Sequence, residues 1–193
     1  MRGFLTPGYF AAATIVLLVA MVLTRALALR ARGIHAVHFG QIDWKDFLIP
    51  PFALFYFYLV FAWALRLPSP TRQEFFRSEI ASWTGVACCG CGLSLMLASL
   101  ISFGQSFRIG IDAASADKLV TSGVFAFSRN PIYAAFALVL LGELLVFPNW
   151  IFLAYAIAGT LLFHRQVLRE EDFLRRRYGE EFIAYCRRVP RYL

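Results

Sequence analysis

Polar residues able to do chemistry are concentrated between Arg129 and Glu171, on either side of an apolar hairpin. Asn130-Pro131 predicts a helix start, because Asn can cap free backbone amides and Pro is preset for the first helical position. Arg129 beside the partial positive charge of such a helix end predicts an anion site, suited to a carboxylate or phosphate. From these residues alone, an ordinary capped membrane helix with an interfacial arginine remains the alternative.

Three glutamates in this region are the second set of candidates. Glu143 lies inside an apolar stretch, where an ionisable side chain is costly and is a functional hypothesis by default, unless it reaches the far interface. Glu170 and Glu171 lie among arginines, so together they offer partners for an ammonium, ribose hydroxyls, a carboxylate or a phosphate. A solvated, salt-bridged helix face is the alternative for this pair. A straight helix would hold Glu143 about 20 Å from Asn130, so one pocket using both needs an extended ligand or a helix broken near Gly142.

Composition determines which elements position these residues. The 193 residues are 60% hydrophobic and 17% aromatic, and the mean hydropathy is +0.63. Several apolar runs approach the roughly 20 residues of a bilayer-spanning helix, which predicts an all-α polytopic membrane protein with a single membrane-embedded domain over 1–193. The net charge of +7 comes from loop and tail residues. This distribution favours anionic membrane lipids as partners and argues against nucleic acid.

Five apolar segments predict five transmembrane helices. The segments are 8–29, 47–67, 80–103, 131–147 and 150–163. The last two rise only about 25 and 21 Å against a hydrocarbon core near 30 Å. Helical apolar spacing beyond His164 favours continuation of the fifth helix as a C-terminal cytoplasmic helical segment. Residues 1–103 then form a three-span bundle, and 104–193 form the cofactor- and substrate-binding core.

The distribution of positive charge predicts the orientation. With the N-terminus outside and the C-terminus cytoplasmic, 15 of the 19 lysine and arginine residues lie on the cytoplasmic side. The inverse orientation reverses that bias, so the prediction is a multi-pass integral cell membrane protein whose polar site faces the cytoplasm.

The first apolar run is interpreted as a retained span, because no small-residue cleavage pattern follows it. The polar connection 104–130 is expected to be ordered and part of the site.

The third apolar segment is rich in small residues, which predicts close helix packing in lipid. Its cysteines also raise the question of a metal. A thiolate ligand is unfavourable in mid-membrane and no histidine lies in the run, so packing is the preferred interpretation and no metal is expected. The small residues are Gly85, Cys88, Cys89, Gly90, Cys91 and Gly92.

The series LVTSGVFAFSRNPIY, an apolar hairpin and EEDFLRRRYGEEFIAYCRRVPR resembles the isoprenylcysteine carboxyl methyltransferase type of membrane methyltransferase, and more distantly the phospholipid N-methyltransferases. The resemblance covers Leu119 to Arg191. It implies transfer of a methyl group from S-adenosylmethionine to a lipophilic small-molecule or lipidated acceptor, leaving S-adenosylhomocysteine. A carboxylate is the acceptor group that this type of enzyme implies.

The resemblance also implies residue roles. Glu170 and Arg165 would be catalytic. An acceptor would be bound by Arg129, Arg165 and Gln166, with Gln166 at the spacing of the family's substrate-orienting arginine. Asn130 replaces the histidine of the family's Arg-His-Pro-x-Tyr motif. The cofactor would contact Asn130, Pro131, Ile132, Tyr133, Leu138, Glu143, Leu144, Leu145, Val146 and Glu170.

Two other functions stay open at this stage. One is methylation of a phospholipid amine, which needs a base, and His164 is the only histidine nearby. The other is a non-catalytic membrane transporter or scaffold whose basic tail binds anionic lipid. The sequence does not determine the oligomeric state.

Overall fold

Apolar runs form the helices of this protein, and Pro, Asn and Gly residues mark several of their ends. The structure is a computed structural model that describes residues 5–31, 49–65, 67–68, 74–103 and 119–192. Within these ranges the chain is helical and contains no strand, which confirms the predicted all-α class. The helices are α1 (Leu5–Arg30), α2 (Ile49–Ala64), α3 (Glu79–Phe103), a short 3-10 helix (Gly123–Ala126), α4 (Pro131–Val146), α5 (Trp150–Tyr178) and α6 (Glu180–Arg188).

Three of the described helices are long and apolar enough to cross a bilayer: Pro7–Arg30, Glu79–Phe103 and Trp150–Tyr178. Two shorter apolar helices, Ala53–Ala64 and Pro131–Val146, correspond to the second and fourth predicted spans. The protein is therefore a multi-pass membrane protein. The number five stays a prediction, and the connection 104–118 lies outside the described residues.

The fifth helix continues well past its apolar part, as the spacing beyond His164 predicts. α5 contains 29 residues and is therefore about 43 Å long, more than the hydrocarbon core requires. It ends at Gly179, whose φ of 52° lies in the left-handed region that glycine adopts readily. α6 begins immediately afterwards. The chain thus carries a polar helical extension directly beyond the apolar part of α5.

Helices α3 and α4 meet along a seam of small residues. A Cβ on Gly142 would lie 2.6 Å from both the Cys89 Sγ and the backbone oxygen of Gly85. A Cβ on Gly92 would lie 2.8 Å from Val139 Cγ2. The two backbones therefore approach more closely than larger side chains permit, which confirms the predicted packing role of this segment. All four cysteines are free, and Cys89 is buried in the seam.

A tight turn joins α4 to α5 and sends the chain back along itself. Asn149 caps α5, its Oδ1 accepting hydrogen bonds from the amides of Ile151 at 3.0 Å and Phe152 at 3.1 Å. At the other end of the hairpin, the Phe163 ring lies 5.9 Å from that of Tyr133, centroid to centroid. The hairpin therefore brings the polar half of α5 beside the start of α4.

Candidate functional site

Glu170 on α5 faces the first turn of α4. The Tyr133 hydroxyl donates to Glu170 Oε1 at 2.6 Å, and Gln166 Nε2 donates to the same oxygen at 3.1 Å. Oε2 receives neither of these bonds. The carboxylate is thus held from two helices through one of its oxygens.

Aromatic rings extend this surface along the hairpin. Phe163 stacks on Phe136 with the centroids 5.1 Å apart and also contacts the Tyr133 ring. Aromatic faces attract cations, and a neighbouring carboxylate strengthens that preference. The Tyr133–Glu170 surface therefore suits a positively charged group that also carries hydrogen-bond donors.

Asn130 does not cap α4, so the predicted capping role is wrong. Its side chain makes no bond to the helix amides. Instead Nδ2 donates to Glu171 Oε1 at 3.1 Å and to the backbone oxygen of Arg191 at 3.2 Å. Both acceptors lie on other parts of the chain, and Glu171 is a buried carboxylate that is costly to leave without donors. Pro131 does occupy the first turn of α4, as predicted.

Glu171 is almost fully buried, with an exposed fraction of 5%, and it is surrounded by donors. Arg191 donates to its Oε2 from Nε at 3.1 Å and from Nη2 at 2.9 Å. Arg129 Nη2 lies 3.5 Å from Oε1, which also accepts from Asn130. The hydrogen bonds to Glu171 raise the pKa of Arg191, so this guanidinium stays charged. Both nitrogens donate to the same carboxylate oxygen, and hydrogen bonds between charged groups are about twice as strong as those between neutral groups.

The anion that Arg129 binds is therefore one of the protein's own. Besides Glu171, its Nη1 contacts Cys186 Sγ on α6. Only 12% of its side chain is exposed. Its guanidinium is thus largely buried and contacts groups of the protein itself.

Helix α6 packs against the loop that precedes α4. The Tyr185 hydroxyl donates to the backbone oxygen of Phe125 in the 3-10 helix at 2.6 Å. Burial raises the pKa of Tyr185 to about 12, so it remains a donor at physiological pH. Phe182 and Val189 are buried with Tyr185 against Leu119 and the end of α5.

The remaining predicted site residues are spread along α4 and α5. Gln166 faces Glu170, whereas Arg165 is exposed. Ile132 packs toward α1 and α3, and Leu144 and Val146 pack into the apolar core of the bundle. Pro131 is buried at the helix start, while Leu138 and Leu145 are half-buried.

Glu143 is not brought to the Glu170 cluster. Helix α4 runs without a break from Pro131 to Val146, so the bend considered at Gly142 is absent and Glu143 lies about 20 Å along the axis from Asn130. Its exposed fraction is 0%, so the interpretation that it reaches the far interface is wrong. Neither carboxyl oxygen has a hydrogen-bond partner among the described residues.

Sequence reasoning missed Arg191 and Tyr185. Arg191 is one of several arginines near the end of the sequence, and nothing in its spacing distinguishes it from Arg187 and Arg188, both of which are exposed. Tyr185 carried a usable signal, because the helical spacing of Phe182, Tyr185 and Val189 predicts one buried face.

Comparison with known proteins identifies the family. The phospholipid methyltransferase family matches residues 80–181, more than half of the chain. The chain belongs to the phospholipid methyltransferase family. The matched segment of this family member begins in α3 and includes both Tyr133 and Glu170. Membership of a methyltransferase family implies a methyl donor.

Several relatives of this family member are named protein-S-isoprenylcysteine O-methyltransferase, which confirms the resemblance noted in the sequence. Protein-S-isoprenylcysteine O-methyltransferase B of Arabidopsis thaliana is 31% identical over 102 residues, covering 51% of this chain and 52% of the relative. The Schizosaccharomyces pombe protein is 29% identical over 130 residues, covering 65% and 54%. The mouse protein is 31% identical over 128 residues, covering 62% and 45%. The chain thus spans about half the length of these relatives.

Proposed function

We propose that the protein transfers a methyl group from S-adenosylmethionine to the carboxylate of a lipophilic or lipidated acceptor. The observation that carries this proposal is the 2.6 Å hydrogen bond between Tyr133 and Glu170, which joins the starting turn of α4 to the polar half of α5. Both residues lie in the family-matched segment. The names of the relatives support a carboxylate as the acceptor group.

The residues present fit this cofactor. S-adenosylmethionine carries a sulfonium charge, an ammonium and ribose hydroxyls, which call for a carboxylate and aromatic faces. Glu170 supplies the carboxylate, and Tyr133 supplies an aromatic face beside it. Because α4 is unbroken, we restrict the cofactor site to Asn130, Pro131, Ile132, Tyr133 and Glu170, and leave Leu138 and residues 143–146 to other contacts.

Catalysis in this site is mainly a matter of position. The bound donor supplies a methyl group already activated by the positive charge of its sulfur. The protein must orient that group toward the acceptor and exclude water, which is how proximity lowers a barrier. An ionised carboxylate is itself the nucleophile, so no base is required. We assign the acceptor carboxylate to Arg165, because this arginine is exposed next to Gln166, whereas only 12% of the Arg129 side chain is exposed.

The membrane provides the acceptor. We propose that all five apolar helices cross the bilayer in one domain, with the N-terminus outside and the C-terminus in the cytoplasm. The helices before residue 104 then form a supporting bundle, and the later segment carries the site. Exposed arginines near the ends of α5 and α6 would bind anionic headgroups. These are Arg175, Arg176, Arg177, Arg187 and Arg188.

Titration with S-adenosylhomocysteine in detergent micelles, followed by calorimetry, tests the cofactor assignment. We expect saturable binding by the native chain and at least tenfold weaker binding by Glu170→Ala, since the variant loses a carboxylate that binds the cofactor. Asp172→Ala is the matched control, because Asp172 is an exposed carboxylate two residues away. Absence of binding, or equal affinities for the Glu170 and Asp172 variants, would overturn the assignment.

A phospholipid amine is the second candidate acceptor. The family description favours it, and so does the neutral Gln166, which lies beside Glu170 where an arginine would suit a carboxylate acceptor. Mass spectrometry of products formed from a prenylcysteine analogue and from phosphatidylethanolamine vesicles separates the two. We expect methylation of the analogue, lowered at least tenfold by Arg165→Ala but not by the exposed Arg175→Ala. Methylation of the phospholipid alone would establish the amine reaction instead.

A further inference from the structure

The segment Val189–Tyr192, which we call the strap, lies across the loop that precedes α4. The backbone oxygen of Pro190 accepts a hydrogen bond from the Arg129 amide at 3.0 Å. The backbone oxygen of Arg191 accepts from Asn130 Nδ2 at 3.2 Å. The strap is therefore bonded directly to the residues that open α4.

The side chains of the strap reach α5. The Arg191 guanidinium contacts Glu171 with two nitrogens, and the Tyr192 hydroxyl lies 2.8 Å from His164 Nδ1. Glu171 and His164 are seven residues apart in α5, which is close to two helical turns, so both lie on the same side of the helix. The strap thus fastens the start of α4 to an extended stretch of α5.

These contacts lie beside Tyr133 and Glu170, the two residues on which the proposed function rests. Tyr133 lies within one turn of Asn130, and Glu170 is the neighbour of Glu171. Hydrogen bonds to charged groups are directional and fix distances, whereas apolar packing permits small sliding movements. A displacement of Asn130 from Glu171 would therefore change the separation of Tyr133 and Glu170.

We propose that Arg191 and Glu171 are positioning residues that hold Tyr133 and Glu170 at the spacing required for cofactor binding. The proposal rests on the proposed function, because it assigns a role to the same site. In this arrangement Glu171 does not bind the cofactor. Its oxygens are occupied by Asn130, Arg129 and Arg191.

Calorimetric titration of S-adenosylhomocysteine into Arg191→Ala tests this role. We expect the dissociation constant to rise about tenfold while the stoichiometry stays at one, because the folded site is present but misaligned. Arg188→Ala is the control, because Arg188 is an exposed arginine three residues away and its substitution changes the charge by the same amount. Arg191→Lys should lie between the two, because an ammonium cannot reproduce a two-nitrogen contact.

Hydrogen exchange supplies a readout that needs no cofactor. Amides of residues 129, 130 and 132–134 should exchange faster in Arg191→Ala than in the native protein, and at the native rate in Arg188→Ala. A fall in stoichiometry at an unchanged dissociation constant would show a purely structural role and overturn the inference, as would unchanged exchange. If the native chain itself fails to bind S-adenosylhomocysteine, the proposed function is overturned first and the positioning role with it.

Discussion

Glu143 and Glu171 are both buried carboxylates on membrane-embedded helices or their extensions, yet their surroundings are opposite. Glu171 accepts from Asn130, forms a two-nitrogen contact with Arg191 and lies near Arg129. Glu143 has no hydrogen-bond partner for either oxygen among the described residues, although it is completely buried.

The difference shows that burial of a glutamate has two quite different energetic meanings. A paired buried carboxylate links chain segments, and removing it leaves arginines without a counter-charge. An unpaired one is a cost that the rest of the fold must offset. At the polar end of α4 the structure depends on directional bonds. At the Glu143 end it depends on the close α3–α4 packing around Gly142.

The largest effect is expected for Glu171→Ala. Loss of this carboxylate leaves Arg129 and Arg191 uncompensated and removes a partner of Asn130, so the free energy of unfolding should fall by about 3–5 kcal/mol. Thermal unfolding in micelles measures the change. Asp172→Ala, an exposed neighbour, should change stability by less than about 0.5 kcal/mol. Equal losses of unfolding free energy in the two variants would contradict the stabilising role of the Glu171 contacts.

Gly142→Ala tests whether close packing of α3 against α4 stabilises the Glu143 end of α4. The new Cβ would lie 2.6 Å from the Gly85 oxygen, and a backbone atom cannot give way cheaply. We expect a loss of up to about 3 kcal/mol in the free energy of unfolding, typical of an overpacked core. Gly90 provides the control, because a Cβ there would have no described residue within 4 Å. If Gly142→Ala leaves the free energy of unfolding unchanged, the close approach of α3 and α4 at this position is contradicted.

Glu143→Leu should have the opposite sign. Glu143 lacks hydrogen-bond partners within the part of the chain that the structure describes, so replacing it by an apolar side chain of similar size removes a desolvation penalty and should raise stability by about 1–2 kcal/mol. Glu143→Gln should gain less, because it keeps two polar atoms in the same place. The measurement is the unfolding temperature of both variants in the same detergent. Marked destabilisation by both variants would contradict the prediction and show that the Glu143 carboxyl group stabilises the fold.

Tyr133→Phe should have the smallest effect on stability. It removes one hydrogen bond to Glu170 and keeps the ring beside Phe163, so the cost is about 1 kcal/mol. Binding of S-adenosylhomocysteine should weaken by about three- to tenfold, since among the described residues Glu170 then keeps only the hydrogen bond from Gln166. Calorimetry and thermal unfolding on the same sample separate the two effects. A large loss of stability with unchanged affinity would show that Tyr133 stabilises the fold and does not contribute to cofactor binding.

Much of the fold could be predicted because its causes are local. Apolar runs of helical length, Pro131 at a helix start and Asn149 at a turn act through their own neighbours in the chain. The small residues of the third segment likewise indicated close packing before their partner helix was known. The resemblance, carried by two separate motifs, implied that Tyr133 and Glu170 contact one cofactor, and the structure joins the two side chains by a hydrogen bond.

The sequence by itself determined the all-helical membrane class, the hairpin after Asn130 and the residue types available for binding a cationic methyl donor, since these follow from composition, helical spacing and short motifs. Only the tertiary structure decided which carboxylate has which partners. Asn130 bonds to Glu171 in place of capping α4, Arg129 is held internally, and Arg191 closes the network from across the fold. The physical reason is that a hydrogen bond depends on distances between atoms tens of residues apart, and the order of residues along a helix does not contain those distances.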